Sequence, residues 1–182
     1  MGIEPFHALP GVFALAATDG RFMLTDAKSG QRLLAFPSNF EAPVKSPFTM
    51  SFSPDGGELA VANWDEGRVV FHSTANGAQL REWAAPRPWV IEFSPVRNDL
   101  LFTPEPVAGQ AVQLRLHDAA SGQIRWTFDP GVDWIQAAFH PAGEEVVVAY
   151  GQVSAAVLDA KAGKVLRELP ETGRLVYRLA AS

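Results

Sequence analysis

A turn that ends in glycine recurs four times along this chain of 182 residues, and it limits the possible folds more than any other feature. The copies read LTDAKSG (24–30), FHSTANG (71–77), LHDAASG (116–122) and VLDAKAG (157–163). Their final glycines are 47, 45 and 41 residues apart, and each glycine leads into an apolar segment. Glycine is favoured in such turns because it accepts a positive φ. The spacing therefore predicts four similar structural units.

A second recurring feature supports the same four units. An aromatic residue precedes a turn in Phe52-Ser53-Pro54, in Phe93-Ser94-Pro95 and in Phe139-His140-Pro141, and Phe6-His7 followed by Pro10-Gly11 is a degenerate copy. The two features alternate in the same order at similar periods. Coincidence does not readily produce two features with a shared period.

The segment 52–83 is the best-formed copy of the unit. Apolar residues alternate with small ones through 59–63, a turn follows at 65–67, and two further apolar runs cover 69–71 and 80–83. This period of two residues is typical of β-strands. Four short antiparallel strands within about 40 to 45 residues have the size of one propeller blade. The sequence thus predicts an all-β chain of about four four-stranded sheets, as a β-propeller or partial propeller.

At these residues the chain resembles the WD40 repeat family. The shared features are the FSPDG turn at 52–56, turns at Asp19-Gly20 and 65–67, and an aspartate that ends the third strand at Asp26, Asp118 and Asp159. The resemblance covers a single domain or segment, 1–182, as repeats at about 3–37, 46–85, 89–128 and 134–169.

The chain also departs from the family pattern. The family tryptophan before that aspartate is replaced by Thr25, His72, His117 and Leu158, and the family Gly-His pair is absent. The repeats are therefore degenerate, and lactonase-like or TolB-like blades, which share the FSPDG turn, are alternatives.

The last residues raise the question of how the sheets are completed. Leu175, Tyr177 and Leu179 alternate like a first strand, so 172–182 is interpreted as the start of a fifth repeat or as a closing strand. Four blades of this family leave an open sheet edge, which invites association. Three alternatives follow: part of a longer propeller, self-association of two copies to complete a ring, or a small closed propeller.

Composition narrows the possible partners and location. The net charge of −5 argues against nucleic-acid binding, which usually needs a basic surface. There is no cysteine, which excludes disulfides and thiolate chemistry. The N-terminus does not resemble a signal peptide, and no apolar run approaches the ~20 residues of a membrane helix. We therefore expect a cytoplasmic protein that interacts with neither membrane nor nucleic acid.

No catalytic or metal-binding constellation stands out. The four histidines lack the spacing of a zinc site, and His72 and His117 are interpreted as packing residues. The repeated aspartates are expected to accept backbone hydrogen bonds in turns. Ser53, Ser94 and Ser121 are turn serines without a matching base. We expect no cofactor and no enzymatic activity. The alternative is the propeller portion of an enzyme, lactonase-like or accessory to a hydrolase, whose catalytic part is elsewhere.

Tryptophans provide the candidate binding residues. Trp83 and Trp126 fall on outer strands, where they could pack between blades, whereas Trp89 and Trp134 fall at the loops that enter inner strands. Exposed aromatics beside arginine are common interface anchors. Arg87, Trp89, Asp133 and Trp134 are therefore the candidate partner-binding patch, with the alternative that both tryptophans only fill the channel end. The WD40 resemblance implies a non-catalytic scaffold for a protein or peptide partner.

Overall fold

The structure is a computed structural model that describes residues 11–17, 20–40, 48–105, 107–151 and 153–170. The ordered elements of these residues are all β-strands. The first two sheets contain β1 (Val12–Ala16), β2 (Arg21–Asp26) and β3 (Arg32–Pro37), then β4 (Phe48–Phe52), β5 (Glu58–Asn63), β6 (Arg68–Ser73) and β7 (Gln79–Ala84). The third contains β8 (Pro88–Phe93), β9 (Asp99–Pro104), β10 (Leu114–Asp118) and β11 (Ile124–Phe128), and the fourth contains β12 (Ile135–Phe139), β13 (Glu145–Tyr150), β14 (Ser154–Asp159) and β15 (Val165–Leu169).

Each sheet is an antiparallel meander in which the strands keep their chain order. The second, third and fourth sheets have four strands, as predicted from the repeat. The first sheet has three strands within the described part of the chain, where four had been expected. The degenerate copy at Phe6-His7, the turn residue Asp19 and the segment 172–182 lie outside the described residues. The predicted all-β architecture of repeated antiparallel sheets is confirmed.

The chain divides into two compact units, Met1–Pro88 and Trp89–Ser182. The core of the first unit combines the first two sheets and includes Phe22, Leu24, Leu59 and Val61. The core of the second combines the last two sheets, and its members include Leu116, Trp126, Val146, Val148 and Leu158. Within each unit, therefore, one sheet covers a face of the next.

The glycine of the repeated turn marks the place where one sheet approaches the next. Gly77 has φ +76°, and a Cβ there would lie 2.5 Å from Cβ of Phe36, which belongs to the preceding sheet. In the second unit a Cβ on Gly163 would lie 2.6 Å from the ring of Trp126. The Trp126 indole N–H also donates to the carbonyl of Ala160 at 3.0 Å. The predicted packing of Trp126 between blades is confirmed, whereas Trp83 stacks on Phe71 of its own sheet with ring centroids 5.5 Å apart.

A β-bulge interrupts the outermost strand of every sheet at the same point. The pairing with the strand before it slips by one residue, which leaves one residue of each outermost strand without a cross-strand partner: Leu33, Leu80, Arg125 and Leu166. Bulges bend a strand and discourage further strands from adding to it. The outer edges are therefore poor sites for strand addition.

Candidate functional site

In the four-stranded sheets, the tip between the second and third strands lies at the same end as the connection that follows the fourth strand, because neighbouring strands run antiparallel. We call this end of a sheet the loop edge. In the second sheet the tip and the connection are 64–67 and 85–87, joined by the N–H of Ala85, which donates to the carbonyl of Gly67 at 2.8 Å. In the third sheet they are 105–113 and 129–134, joined by the N–H of Val112, which donates to the carbonyl of Val132 at 2.7 Å. Backbone hydrogen bonds thus fix the loops in both units.

Arg87 lies at the loop edge of the first unit on an aromatic support. Its guanidinium carbon is 4.9 Å from the ring centroid of Trp64, which is cation–π geometry. The backbone of Arg87 has φ +49°, a left-handed conformation that is unfavourable for a residue with a side chain. The side chain is exposed. A strained backbone and a stacked guanidinium together hold a cation in a defined position facing solvent.

Trp89 is the second residue of β8 and belongs to the second unit. Its side chain is 45% exposed, whereas Pro88 directly before it and Ile91 two residues after it are buried. An exposed indole offers a large apolar surface with a hydrogen-bond donor at its edge, and tryptophan is enriched at binding hot spots. Trp89 is therefore the best aromatic anchor among the candidate residues.

Asp133 and Trp134 form the connection that enters β12. Asp133 is exposed and Trp134 is half-buried. The carbonyl of Trp134 accepts the N–H of Gly151 at 3.0 Å, so the tip between β13 and β14 fixes its backbone. The two tryptophans are not equivalent in the repeat. Trp89 precedes Phe93 by four residues, and the residue four before Phe139 is the buried Ile135.

The histidines have packing roles, as predicted. His72 is fully buried, with its ring centroid 5.1 Å from that of Phe36 and 6.1 Å from that of Phe22. Its Nδ1 lies 3.2 Å from the carbonyl of Gly77, and in His117 the same atom lies 2.9 Å from the carbonyl of Gly122. Because a carbonyl can only accept, Nδ1 carries the proton in both rings. Burial lowers the pKa of both histidines. Within the described residues no group of three metal-ligating side chains occurs.

The acidic residues and serines named from the sequence hold turns together. Oδ1 of Asp26 accepts the N–H of Ser29 at 2.6 Å and its hydroxyl at 2.6 Å. Asp118 accepts the same two donors from Ser121, at 2.8 and 2.9 Å. These hydrogen bonds lower the pKa of both aspartates. The predicted structural role of the repeated aspartates is confirmed at these turns.

Sequence reasoning missed two groups of residues. Trp64 had no role assigned, although it supports Arg87. Phe13 and Leu15 also escaped notice, although both are exposed on β1. Aligning the strands by distance from the repeated glycine would have found the second group, because Phe13 and Leu15 then coincide with Leu59 and Val61.

The fold belongs to the β-propeller class. The chain is similar to the β-propeller domain of Cps50 (Swd1) from Myceliophteria thermophila, with a TM-score of 0.71 and 14% sequence identity. The alignment covers 93% of this chain and 55% of that domain, so the chain spans about half the length of its structural neighbour. No protein-family model and no curated protein sequence matches the chain. None of the described residues forms a helix with the length and hydrophobicity that crossing a membrane requires.

Proposed function

We propose that this chain is a WD40-like, non-catalytic scaffold that binds a protein or peptide partner at its loop edge. The observation that carries the proposal is the pair of exposed anchors there. Trp89 is about half exposed, and the guanidinium of Arg87 stacks on Trp64. Tryptophan and arginine are the side chains most enriched at binding hot spots. Asp133 and Trp134, in the loop that enters β12, are the further candidate residues of the second unit.

Rigidity of the loop edge supports this proposal. The tips and connections of the sheets are tied by short backbone hydrogen bonds, so partner binding would order few additional residues. A preorganised surface avoids most of the entropic cost of association. The guanidinium of Arg87 is also held in place before binding, because it stacks on the ring of Trp64.

The surroundings of the polar side chains also favour a scaffold over an enzyme. The hydroxyl of Ser53 donates to Asp55 at 2.6 Å and accepts the N–H of Glu58 at 2.9 Å. Ser94 accepts the N–H of Arg97 at 3.2 Å. Side chains engaged in this way serve the turns between strands.

Selection from a peptide library displayed on phage, with the immobilised chain as target, tests the proposal. We expect enriched peptides whose affinity falls about tenfold or more in Trp89→Ala and Arg87→Ala, as for hot-spot residues. Trp134→Ala should weaken binding less, because its side chain is partly buried. Leu80→Ala is the matched control, since Leu80 is similarly exposed but lies on the outer strand β7.

Circular dichroism of each variant separates a binding defect from a folding defect. Peptides that bind all variants equally would remove the loop edge as the binding surface. Failure to enrich any peptide would contradict the peptide-binding part of the proposal. A catalytic domain encoded next to this segment in the same reading frame would overturn the scaffold assignment.

A further inference from the structure

The second of the four repeated turns contains the pair Asn76-Gly77, and Asn76 is the only asparagine in the chain that a glycine follows. In the other three turns the residue before the repeated glycine is serine or alanine, at Ser29, Ser121 and Ala162. Asparagine is among the chemically labile residues, because its carboxamide can react with the chain itself. A following glycine has no Cβ to hinder that reaction. The second turn therefore carries a reactive pair that the other three turns lack.

The second turn also differs from the others in how its end is held. The other three turns begin with an aspartate, and in the fourth turn Oδ1 of Asp159 accepts the N–H of Lys161 at 2.9 Å and that of Ala162 at 2.6 Å. The second turn begins with Ser73, whose hydroxyl accepts the N–H of Ala75 at 3.3 Å. A carboxylate accepts hydrogen bonds more strongly than a hydroxyl. Side chains therefore restrain residues 75–77 less than they restrain the end of the fourth turn.

The two groups that would react lie next to each other in the turn. The side chain of Asn76 is exposed, and its Oδ1 accepts the N–H of Ala78 at 3.0 Å. Such a donor stabilises the negative charge that develops on the oxygen when a nucleophile adds to the carbonyl carbon. The nucleophile is the backbone nitrogen of Gly77, whose N–H donates to the carbonyl of Ser73 at 2.8 Å. Because this hydrogen bond must break before the nitrogen can attack, the reaction requires local opening of the turn.

We propose that Asn76 is a site of spontaneous deamidation and that opening of the turn 73–77 controls its rate. The backbone nitrogen of Gly77 loses its proton and bonds to Cγ of Asn76, and the carboxamide nitrogen takes up a proton and leaves as ammonia. Water then opens the resulting cyclic imide at one of its two carbonyl carbons. The product is either aspartate or isoaspartate, and in isoaspartate the main chain is one atom longer.

The isoaspartyl product would disturb the contact between the first and second sheets. Gly77 lies so close to Phe36 of the first sheet that a Cβ on Gly77 would be 2.5 Å from Cβ of Phe36. The carbonyl of Gly77 accepts a hydrogen bond from Nδ1 of His72 at 3.2 Å, and the His72 ring packs on that of Phe36. An extra main-chain atom directly before Gly77 would shift a residue that has no free space beside it. Deamidation to isoaspartate therefore loosens the packing within the first unit.

Peptide mapping by mass spectrometry tests the site, after incubation of the full chain at pH 8 and 37 °C. Conversion of amide to acid should occur at Asn76 before it occurs at Asn39, Asn63 or Asn98, none of which precedes a glycine. Guanidinium chloride should accelerate the conversion about tenfold or more, because the turn is then open. The Asn76→Ser variant, which has the residue found in two of the other turns, should show no early conversion.

The fourth turn provides a matched control for the role of turn opening. Ala162 is exposed, and Ala162→Asn creates the same pair before Gly163, which lies as close to Trp126 as Gly77 lies to Phe36. Because Asp159 holds this turn, deamidation at position 162 of the variant should be about tenfold slower than at Asn76. Ser73→Asp should slow the reaction at Asn76 by a similar factor. Circular dichroism of both variants should match the wild type.

Stability measurements test the consequence for packing. The isoaspartyl form, separated by ion exchange, should unfold at a lower urea midpoint than the wild type, whereas Asn76→Asp should unfold close to the wild-type midpoint. The turn lies at the opposite end of the second sheet from the loop edge, so this proposal and the proposed function can fail separately.

Three results would overturn the proposal. If Asn76 stays intact in the folded chain while it converts in guanidinium chloride, the folded protein has no modification site there. Equal rates at Asn76 and at position 162 of the Ala162→Asn variant would show that opening of the turn does not control the reaction. An isoaspartyl form with the wild-type urea midpoint would show that the contact with Phe36 tolerates the longer main chain.

Discussion

The first and second sheets share one backbone plan but differ in what surrounds them. Strands β1 and β2 of the first sheet pair in the same register, relative to the repeated glycine, as β5 and β6 of the second sheet. Yet Leu59 is fully buried, and Phe13 at the same position is more than half exposed. The side chain at that position is large and apolar in both sheets. The difference shows that the repeat determines residue type, whereas the neighbouring sheet determines burial.

The first and second sheets also differ at a second pair of equivalent positions, where one has an ion pair and the other has two apolar side chains. In the second sheet Arg81 forms a bidentate ion pair with Glu58, at 2.7 and 2.6 Å, and its guanidinium lies over Phe71. At the equivalent positions the first sheet has Val12 and Leu34, which pack on the core. Ion pairs near the surface contribute little net stability, so an apolar pair is an adequate replacement.

The largest expected difference between the sheets lies at the equivalent positions of Leu59 and Phe13. Leu59→Ala should lower the free energy of unfolding by about 3 kcal/mol, because it removes methyl groups from a packed core and leaves a cavity. Phe13→Ala should change it by less than about 0.5 kcal/mol, because the side chain of Phe13 is 53% exposed. Urea denaturation followed by tryptophan fluorescence measures both. Equal losses in the two variants would mean that Phe13 is packed as tightly as Leu59 in the folded chain.

The repeated glycines provide the next comparison. Gly30 and Gly77 both have positive φ, so alanine costs about 1 to 2 kcal/mol at either site. A Cβ on Gly30 would meet nothing within 4 Å, whereas one on Gly77 would overlap Phe36. Gly77→Ala should therefore cost about 2 kcal/mol more than Gly30→Ala, through overpacking. Urea midpoints of the two variants measure the difference.

A compensating substitution checks the cause of that difference. Phe36→Leu shortens the side chain that faces Gly77, and in this background the extra cost of Gly77→Ala should become smaller. An unchanged cost would point to the backbone of the turn and not to contact between the sheets.

The sequence allowed the fold to be predicted well because its signals are local. The turns at 26–30 and 118–122 depend on an aspartate and a glycine a few residues apart, and those contacts can be inferred from spacing alone. The candidate surface was only partly predictable. The stacking of Arg87 on Trp64 joins residues 23 positions apart, and the exposure of Phe13 depends on whether another sheet covers it. Neither property is encoded in a local pattern.

The smallest expected effect concerns the position where the first sheet has Thr25 and the second has His72. Burial lowers the pKa of His72, and burial together with Arg115 lowers that of His117. Between the lowered pKa and the ordinary value near 6.5, the unfolded chain binds more protons than the folded one, so stability falls as pH decreases through that range. The turn aspartates contribute a separate loss at lower pH, because their pKa is lowered from 3.8.

In His72→Gln/His117→Gln, urea midpoints measured between pH 7 and pH 5 should depend less on pH than in the wild type. If the double variant shows the same pH dependence as the wild type, groups other than His72 and His117 bind those protons.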